Sequence, residues 1–436
     1  MRARAFALAS MLSLLVALAA SPVGAQDTPP DPSAGPEAGP TAPVEAAVTG
    51  IRAMTTGYYH SCALLNSGRV RCSGYNSYGQ LGDGTDDDRT TSVLVRNASD
   101  SGPLTGVAQI AAGEEHTCAL LTNKQVRCWG YNSEGQLGDG TTDERHLPRV
   151  VKNPAGNGPL GNVVQISADD AVTCAVLGNG QVRCWGDNEV GAVGDGSIGN
   201  DRLRPRPVVG VSAPGLLSQI SQVEVGGYHV CARTTNGQAR CWGSGEYGEL
   251  GNDSGASNVR PVVVRAATGS GPLSGVRRIS ASYYHSCAVL GNNQARCWGY
   301  NGYGELGDGT EDDRNRPVVV RNAGDTGPLA GVTYLDTGAY HSCALITGGQ
   351  VRCWGENDYD EVGNGIESGP NVLLPTAVRN RLDTGNLAGV RNLQATDYHT
   401  CVTLNNGEAR CWGYDSYGAL GNGGTDQSPL PVIFSS

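Results

Sequence analysis

The cysteines constrain this chain more than any other feature. There are 14, and they fall in seven pairs: Cys62 with Cys72, Cys118 with Cys128, Cys174 with Cys184, Cys231 with Cys241, Cys287 with Cys297, Cys343 with Cys353, and Cys401 with Cys411. Every pair encloses nine residues, and successive first members lie 56, 56, 57, 56, 56 and 58 residues apart. One unit is therefore written seven times between residues 46 and 436. Repeats of this length build solenoids or propellers, which grow by adding units rather than by splitting into domains. Glycine, at 64 of 436 residues, argues against a helical bundle, since each one inside a helix costs about 1 kcal/mol relative to alanine.

Each copy reads as strand chemistry. The fifth runs YYHSCAVLGNNQARCWGYNGYGELGDGT from Tyr283 to Thr310. Its segments SCAVL and QARCW flank a Gly/Asn turn, the pattern of a β-hairpin. An apolar run such as Val107–Ile110 precedes each hairpin, and another such as Pro317–Arg321 follows a glycine-rich turn. Four short strands per unit, with no helical period, describe a propeller blade. A β-solenoid would need shorter rungs. Folding the hairpin about the turn near Ser67 sets Cys62 opposite Cys72. Cα atoms of such facing residues lie about 4.5 Å apart, at the short end of what a disulfide spans. Seven intra-hairpin disulfides follow, each contributing about 2.5–3 kcal/mol in the loop-entropy account. Zinc would want two to four residues between ligands, so no metal site is expected.

Composition and the N-terminus narrow the function classes. The net charge is −11, and all basic residues but Lys124 and Lys152 are arginines without a basic run. A nucleic-acid partner, which rewards clustered positive charge, is not expected. Arg2 and Arg4, the apolar stretch from Ala5 to Ala20 and the small residues Val23-Gly24-Ala25 read as a signal peptide over 1–25. That stretch is too short to span a bilayer, so no membrane insertion is expected. Residues 26–45, rich in Pro, Ala and Gly, read as a linker. A leader and paired cysteines together predict a secreted, periplasmic or cell-surface protein.

The segments HSCAL, VRCWGYN and GQLGDG resemble the regulator of chromosome condensation repeat, with paired cysteines added as in secreted, bacterial-type members. The resemblance covers residues 46–436 and implies an all-β fold, a seven-bladed β-propeller with four-stranded blades. It also implies that the recurrent Trp and His are structural: Trp packs between blades with its N–H bonded. The copies depart from the motif in places. Ser73 stands where the other six carry Trp, and Ala171-Val172 replaces Tyr-His in the third. The sixth has Asp360 where others have Gly. The final run, Pro431–Phe434, has no blade after it and is expected to pair into the blade that begins near Ala46, covering open sheet edges.

No catalytic constellation, nucleophile elbow or phosphate loop is present, so neither an enzyme nor a cofactor is expected. The acidic turns at 83–88, 139–144 and 308–313 read as solvated turns, with calcium as the alternative. The strongest functional signal is aromatic. The residue before the recurrent His is Tyr59, Glu115, Ala171, Tyr228, Tyr284, Tyr340 and Tyr398 in the seven copies. Equivalent positions lie on one circle, so Tyr59, Tyr228, Tyr284, Tyr340 and Tyr398, with Glu115, form the candidate binding face. Packing within the turn is the competing explanation. Tyr supplies rigid contact area and is frequent in interface hot spots. The expected activity is that of a monomeric module binding another protein, as inhibitors of β-lactamases among secreted relatives do. A glycan-binding propeller is the alternative, and guanine-nucleotide exchange, as in the nuclear family member, a remote one.

Overall fold

The computed structural model describes residues 46–436 apart from 213 and 270. The leader and linker assigned to 1–25 and 26–45 lie outside the described residues. Within them the chain forms 28 strands in seven four-stranded antiparallel sheets, each built from consecutive strands. The first blade comprises β1 (Ile51–Thr56), β2 (His60–Leu65), β3 (Val70–Gly74) and β4 (Arg89–Leu94). The others span 107–150, 163–207, 220–263, 276–319, 332–377 and 390–433. The innermost strands face one another around the axis, and β1 packs against the inner strands of blades two and seven, closing a seven-bladed β-propeller.

The hairpin register sets the cysteines of every blade opposite each other, and each pair is bonded as the spacing predicts. Cys62 is joined to Cys72, Cys118 to Cys128, Cys174 to Cys184 and Cys231 to Cys241. Cys287 is joined to Cys297, Cys343 to Cys353 and Cys401 to Cys411. The Cα–Cα distance is 4.1 Å in all seven, slightly shorter than the expected 4.5 Å for facing residues. All fourteen cysteines are fully buried.

The core lies between blades. The first disulfide, Leu64, Val70, Leu81 and Val95 pack against Val107, Ile110, Ala119 and Trp129 of the next blade. Trp129 Nε1 donates to the Gln80 carbonyl of blade one at 2.8 Å. Close approach demands glycine here: Gly82 sits at φ +66°, and a Cβ on it would lie 2.6 Å from the Trp129 nitrogen. A second link crosses the same junction. The Thr117 hydroxyl donates its one proton to the Gln80 carbonyl at 2.9 Å, so it accepts from His60 Nε2, also at 2.9 Å. Burial removes water from these histidines and holds them neutral, with His60 lowered to about 3.

The ring does not close by strand exchange. The last strand, β28 (Ser428–Ile433), stays in its own blade, paired with Ala409–Gly413. Each repeat already supplies all four strands of a blade, so none is missing from the first. The tail crosses the seam without becoming a strand of the first blade: Val48 N donates to the Phe434 carbonyl at 3.1 Å, and Ser92 N donates to the Ser435 carbonyl at 3.1 Å. The edge expected to need a borrowed strand is covered by these bonds and by the Phe434 side chain.

Candidate functional site: the tyrosine face and the channel mouth

Each inner strand leads into the second strand through a three-residue turn, of which the first position, Asp169, belongs to the inner strand in blade three. The third position of this turn carries the residues of the predicted arc. Tyr59, Tyr228, Tyr284, Tyr340, Tyr398 and Glu115 are all half-buried. Each is packed at its base and open at its edge, so turn packing and exposure coexist.

The arc is one part of a larger aromatic surface. The loop between the third and fourth strands starts beside the turn, where Tyr75 N donates to the Tyr59 carbonyl at 2.8 Å. That loop brings the tyrosines after Trp-Gly onto the same face. Ring contacts connect them: Tyr59 and Tyr75 each lie 5.0 Å from Tyr417, and Tyr78 lies 4.7 Å from Tyr131. Tyr284 stacks on Tyr340 at 5.6 Å, and Tyr303 meets Tyr340 edge-on at 5.3 Å. Of the 17 tyrosines, only Tyr334 lies outside this surface, in the channel.

The aromatic surface breaks at blades two and three. There the corresponding positions hold Glu115 and Glu134, then Ala171, Asp187 and Val190. Burial, reinforced by Glu114, Glu134 and Glu144, raises the Glu115 carboxyl to about 7. Asp187 is raised to about 6, first by burial and then by Asp201 and Glu189.

The second position of the turn was not singled out from the sequence. It rings the axis with Tyr58, Glu114, Asp170, Gly227, Tyr283, Ala339 and Asp397. Beneath it lies a channel cavity of about 130 Å³, lined by inner-strand residues that include Asp169, Glu224, Asp336 and Asp397. Burial raises all four carboxyls. Asp336 is fully engaged, accepting from Ser280 Oγ at 3.0 Å, Gln394 Nε2 at 2.7 Å and Ala395 N at 3.0 Å. The inner strands begin at the opposite end of the channel, where Arg277 and Arg278 lie.

The remaining candidates are structural. Six histidines bond to the Ser or Thr of the next blade, ending with His399 and Ser61 at 2.9 Å. In the acidic turns the half-buried carboxylate is occupied: Asp83 accepts from Thr85 Oγ1 at 2.7 Å and pairs with Arg89 at 3.0 Å. Asp139 and Asp308 repeat the arrangement. Among the described residues no group of three His, Cys, Asp or Glu could hold a metal ion.

The comparisons agree with this architecture. The RCC1-like domain model matches residues 103–435, and regulator of chromosome condensation (RCC1) repeat models match 51–80 and 67–120. The chain belongs to the RCC1-repeat family. It is 28% identical over 385 residues to the ultraviolet-B receptor UVR8 of Arabidopsis thaliana, covering 88% of this chain and 81% of that protein. It is also 28% identical over 303 residues to the human E3 ubiquitin-protein ligase HERC2, covering 68% of this chain but only 6% of that much longer protein. Among solved structures, yeast RCC1 (Prp20) bound to Kap60 superposes with a TM-score of 0.67 at 21% identity, over 90% of this chain and 86% of that one. The Prp20p structure from Saccharomyces cerevisiae, whose description reports binding to Gsp1p and histones, gives 0.67 at 23%, over 86% and 87%. Human WBSCR16 gives 0.68 at 20%, over 84% and 94%.

Proposed function

We propose that this chain is a non-enzymatic, monomeric binding propeller, and that its tyrosine face is the surface that takes a protein partner. The observation that carries this is the contiguous field of half-exposed tyrosines on one face, whose rings brace one another. Bracing fixes the rings before binding, so little side-chain entropy remains to be lost. The solved yeast relative, Prp20, is bound to the protein Kap60 in one structure and binds Gsp1p and histones. Pairing of all fourteen cysteines fits an oxidising compartment, and with the leader read over 1–25 it supports a secreted or periplasmic address.

A glycan would be held by polar groups beside the tyrosines, for which the recurrent asparagines of the loop after Trp-Gly are the repeated candidates. Those asparagines are occupied. Asn76 is fully buried, its Oδ1 accepts from Leu81 N at 2.9 Å, and its Nδ2 donates to the Thr85 and Asp87 carbonyls. Asn301 makes the same bonds in blade five.

The test is affinity capture of partners from culture supernatant, beside a glycan array. Tyr284→Ala combined with Tyr340→Ala is expected to weaken the captured partner at least tenfold without changing the melting temperature by more than a few degrees. Retention of every partner by this variant would assign the tyrosines to packing alone.

A further inference from the structure

The axis of the tyrosine face gathers carboxyl groups, and among the described residues lining the cavity beneath it there is no Lys or Arg. Asp170 and Asp397 stand in the turns around the mouth, with Asp169 one residue deeper. Asp397 is 3% exposed and lines the channel cavity, yet among the described residues no hydrogen bond or ion pair reaches its carboxylate. A buried carboxylate without a partner is costly and is normally satisfied. Its neighbours are carboxyls too: Asp169 and Glu114 act on Asp397, and Asp187 joins them in acting on Asp170, which also shares a side-chain hydrogen bond with Glu114. Two tyrosines complete the ring. Tyr283 is buried within the field of Asp170 and Asp397, and Tyr58 shares a hydrogen bond with Tyr398 between their hydroxyls at 3.2 Å.

Carboxylates spread around a mouth, with aromatic rings between them, match one ligand chemistry. A metal ion would need them converging on a point, and among the described residues no such group occurs. A guanidinium instead presents five N–H donors in a plane to separate acceptors, and it also stacks on aromatic faces. The cavity beneath, about 130 Å³, has room for a side-chain head but not for a folded element. We propose that the mouth formed by Asp169, Asp170 and Asp397 with Tyr58 and Tyr283 is a socket for an arginine side chain presented by a loop of the partner protein. The socket deepens the reading of the tyrosine face and rests on it. The surrounding rings supply contact area, and the socket fixes which loop docks at the centre.

Blocked hexa-arginine is the probe, with hexa-citrulline as its uncharged isostere. The full chain is expected to bind hexa-arginine and not hexa-citrulline. Asp170→Asn with Asp397→Asn is expected to weaken binding at least tenfold while melting no lower than the parent, because a neutral amide replaces a carboxyl whose charged form burial disfavours. Asp86→Asn with Glu311→Gln, on exposed turns away from the axis, is expected to bind as the parent does. Three results would overturn the socket: equal binding of citrulline, equal loss in the two double variants, or no loss at the mouth. Calcium chloride that displaced the peptide and raised the melting temperature only when Asp170 and Asp397 were intact would replace it with a metal site. The face reading is judged separately by Tyr284→Ala with Tyr340→Ala, which leaves the mouth carboxylates in place. A captured partner lost with the tyrosine variant but kept by the aspartate variant would retain the face and remove the socket.

Discussion

Two of the seven blade junctions depart from the common pattern, and they depart in opposite ways. An ordinary junction, such as that between blades one and two, has a Trp whose N–H crosses to the preceding blade and a His–Ser/Thr bond beside it. The seam between blades seven and one keeps the polar bond, through His399 and Ser61, but has no Trp. Ser73 occupies the Trp position, and Phe434 replaces the valine found at Val95, Val151 and Val320. A Cβ on Gly421 would lie 2.7 Å from the Phe434 ring and 2.8 Å from the Ser73 hydroxyl, just as one on Gly82 would meet Trp129. The same space is filled from the opposite blade. The junction between blades three and four keeps its Trp, with Trp242 donating to the Ala192 carbonyl at 2.8 Å, but loses both polar partners together. Val172 stands for the His and Val230 for the Ser/Thr, and both join the hydrophobic core there. The junction thus tolerates a change of chemistry only when both sides change.

The largest test of this comparison is at the seam. Phe434→Ala is expected to cost about 3–5 kcal/mol, the range for emptying a buried aromatic site, read as a drop in melting temperature. Phe434→Val with Ser73→Trp should recover most of that loss by restoring the ordinary arrangement. Failure of the pair to outperform Phe434→Val alone would show that the two fillings are not equivalent. Next in size is the valine junction. Val172→His leaves a buried imidazole facing Val230 and is expected to cost about 1–3 kcal/mol, and adding Val230→Ser should return it. At an ordinary junction, His285→Ala should cost a similar amount by emptying a buried site and removing the 2.8 Å bond to Ser342, whose hydroxyl keeps its bond to the Glu305 carbonyl.

The smallest effect separates the junctions by acid. His60, His116, His229, His285 and His341 are lowered to about 3, and His399 to about 4, by burial. As pH falls below about 6.5, the unfolded chain takes up protons that the folded chain refuses. This stability is therefore full above that pH and is lost toward pH 3. The buried carboxyls act in the reverse sense. Asp336 is raised to about 7 and Glu224 to about 8, so their contribution is full below about pH 4 and is lost as pH rises through 7 to 8. Between about pH 4.5 and 6.5 the two slopes oppose each other. The melting temperature is expected to plateau there and to fall on both sides. Val172→His with Val230→Ser, placing a histidine at the one junction without one, should steepen the acid limb and leave the alkaline one unchanged.

Most of the fold could be read because the period makes equivalent positions visible. The cysteine spacing alone placed seven disulfides, and the recurrent Trp announced its cross-blade bond. The tyrosine positions were legible for the same reason. Deviations were visible as oddities, but their partners were not. Nothing local links Ser73 to Phe434, and the pairing of Val172 with Val230 requires knowing that each His reaches the next blade. The closure expected of the last strand failed because the final run was assigned to the first blade, whereas it completes the blade of its own hairpin. The channel mouth escaped notice because its carboxyls, Glu114, Asp170 and Asp397, alternate at one position with Tyr58, Gly227, Tyr283 and Ala339, and a pattern of differences has no period.

The locality of the disulfides has a consequence for how the chain is made. Fourteen cysteines can be joined in roughly 10⁵ ways by simple pair counting. In each native pair the partners stand only ten positions apart, on adjacent arms of one hairpin. The correct partner is thus the nearest one as soon as a hairpin forms, long before the ring can close. Each staple is settled by its own segment of chain, in order of synthesis, and no bond needs reshuffling when the seam at Phe434 finally shuts.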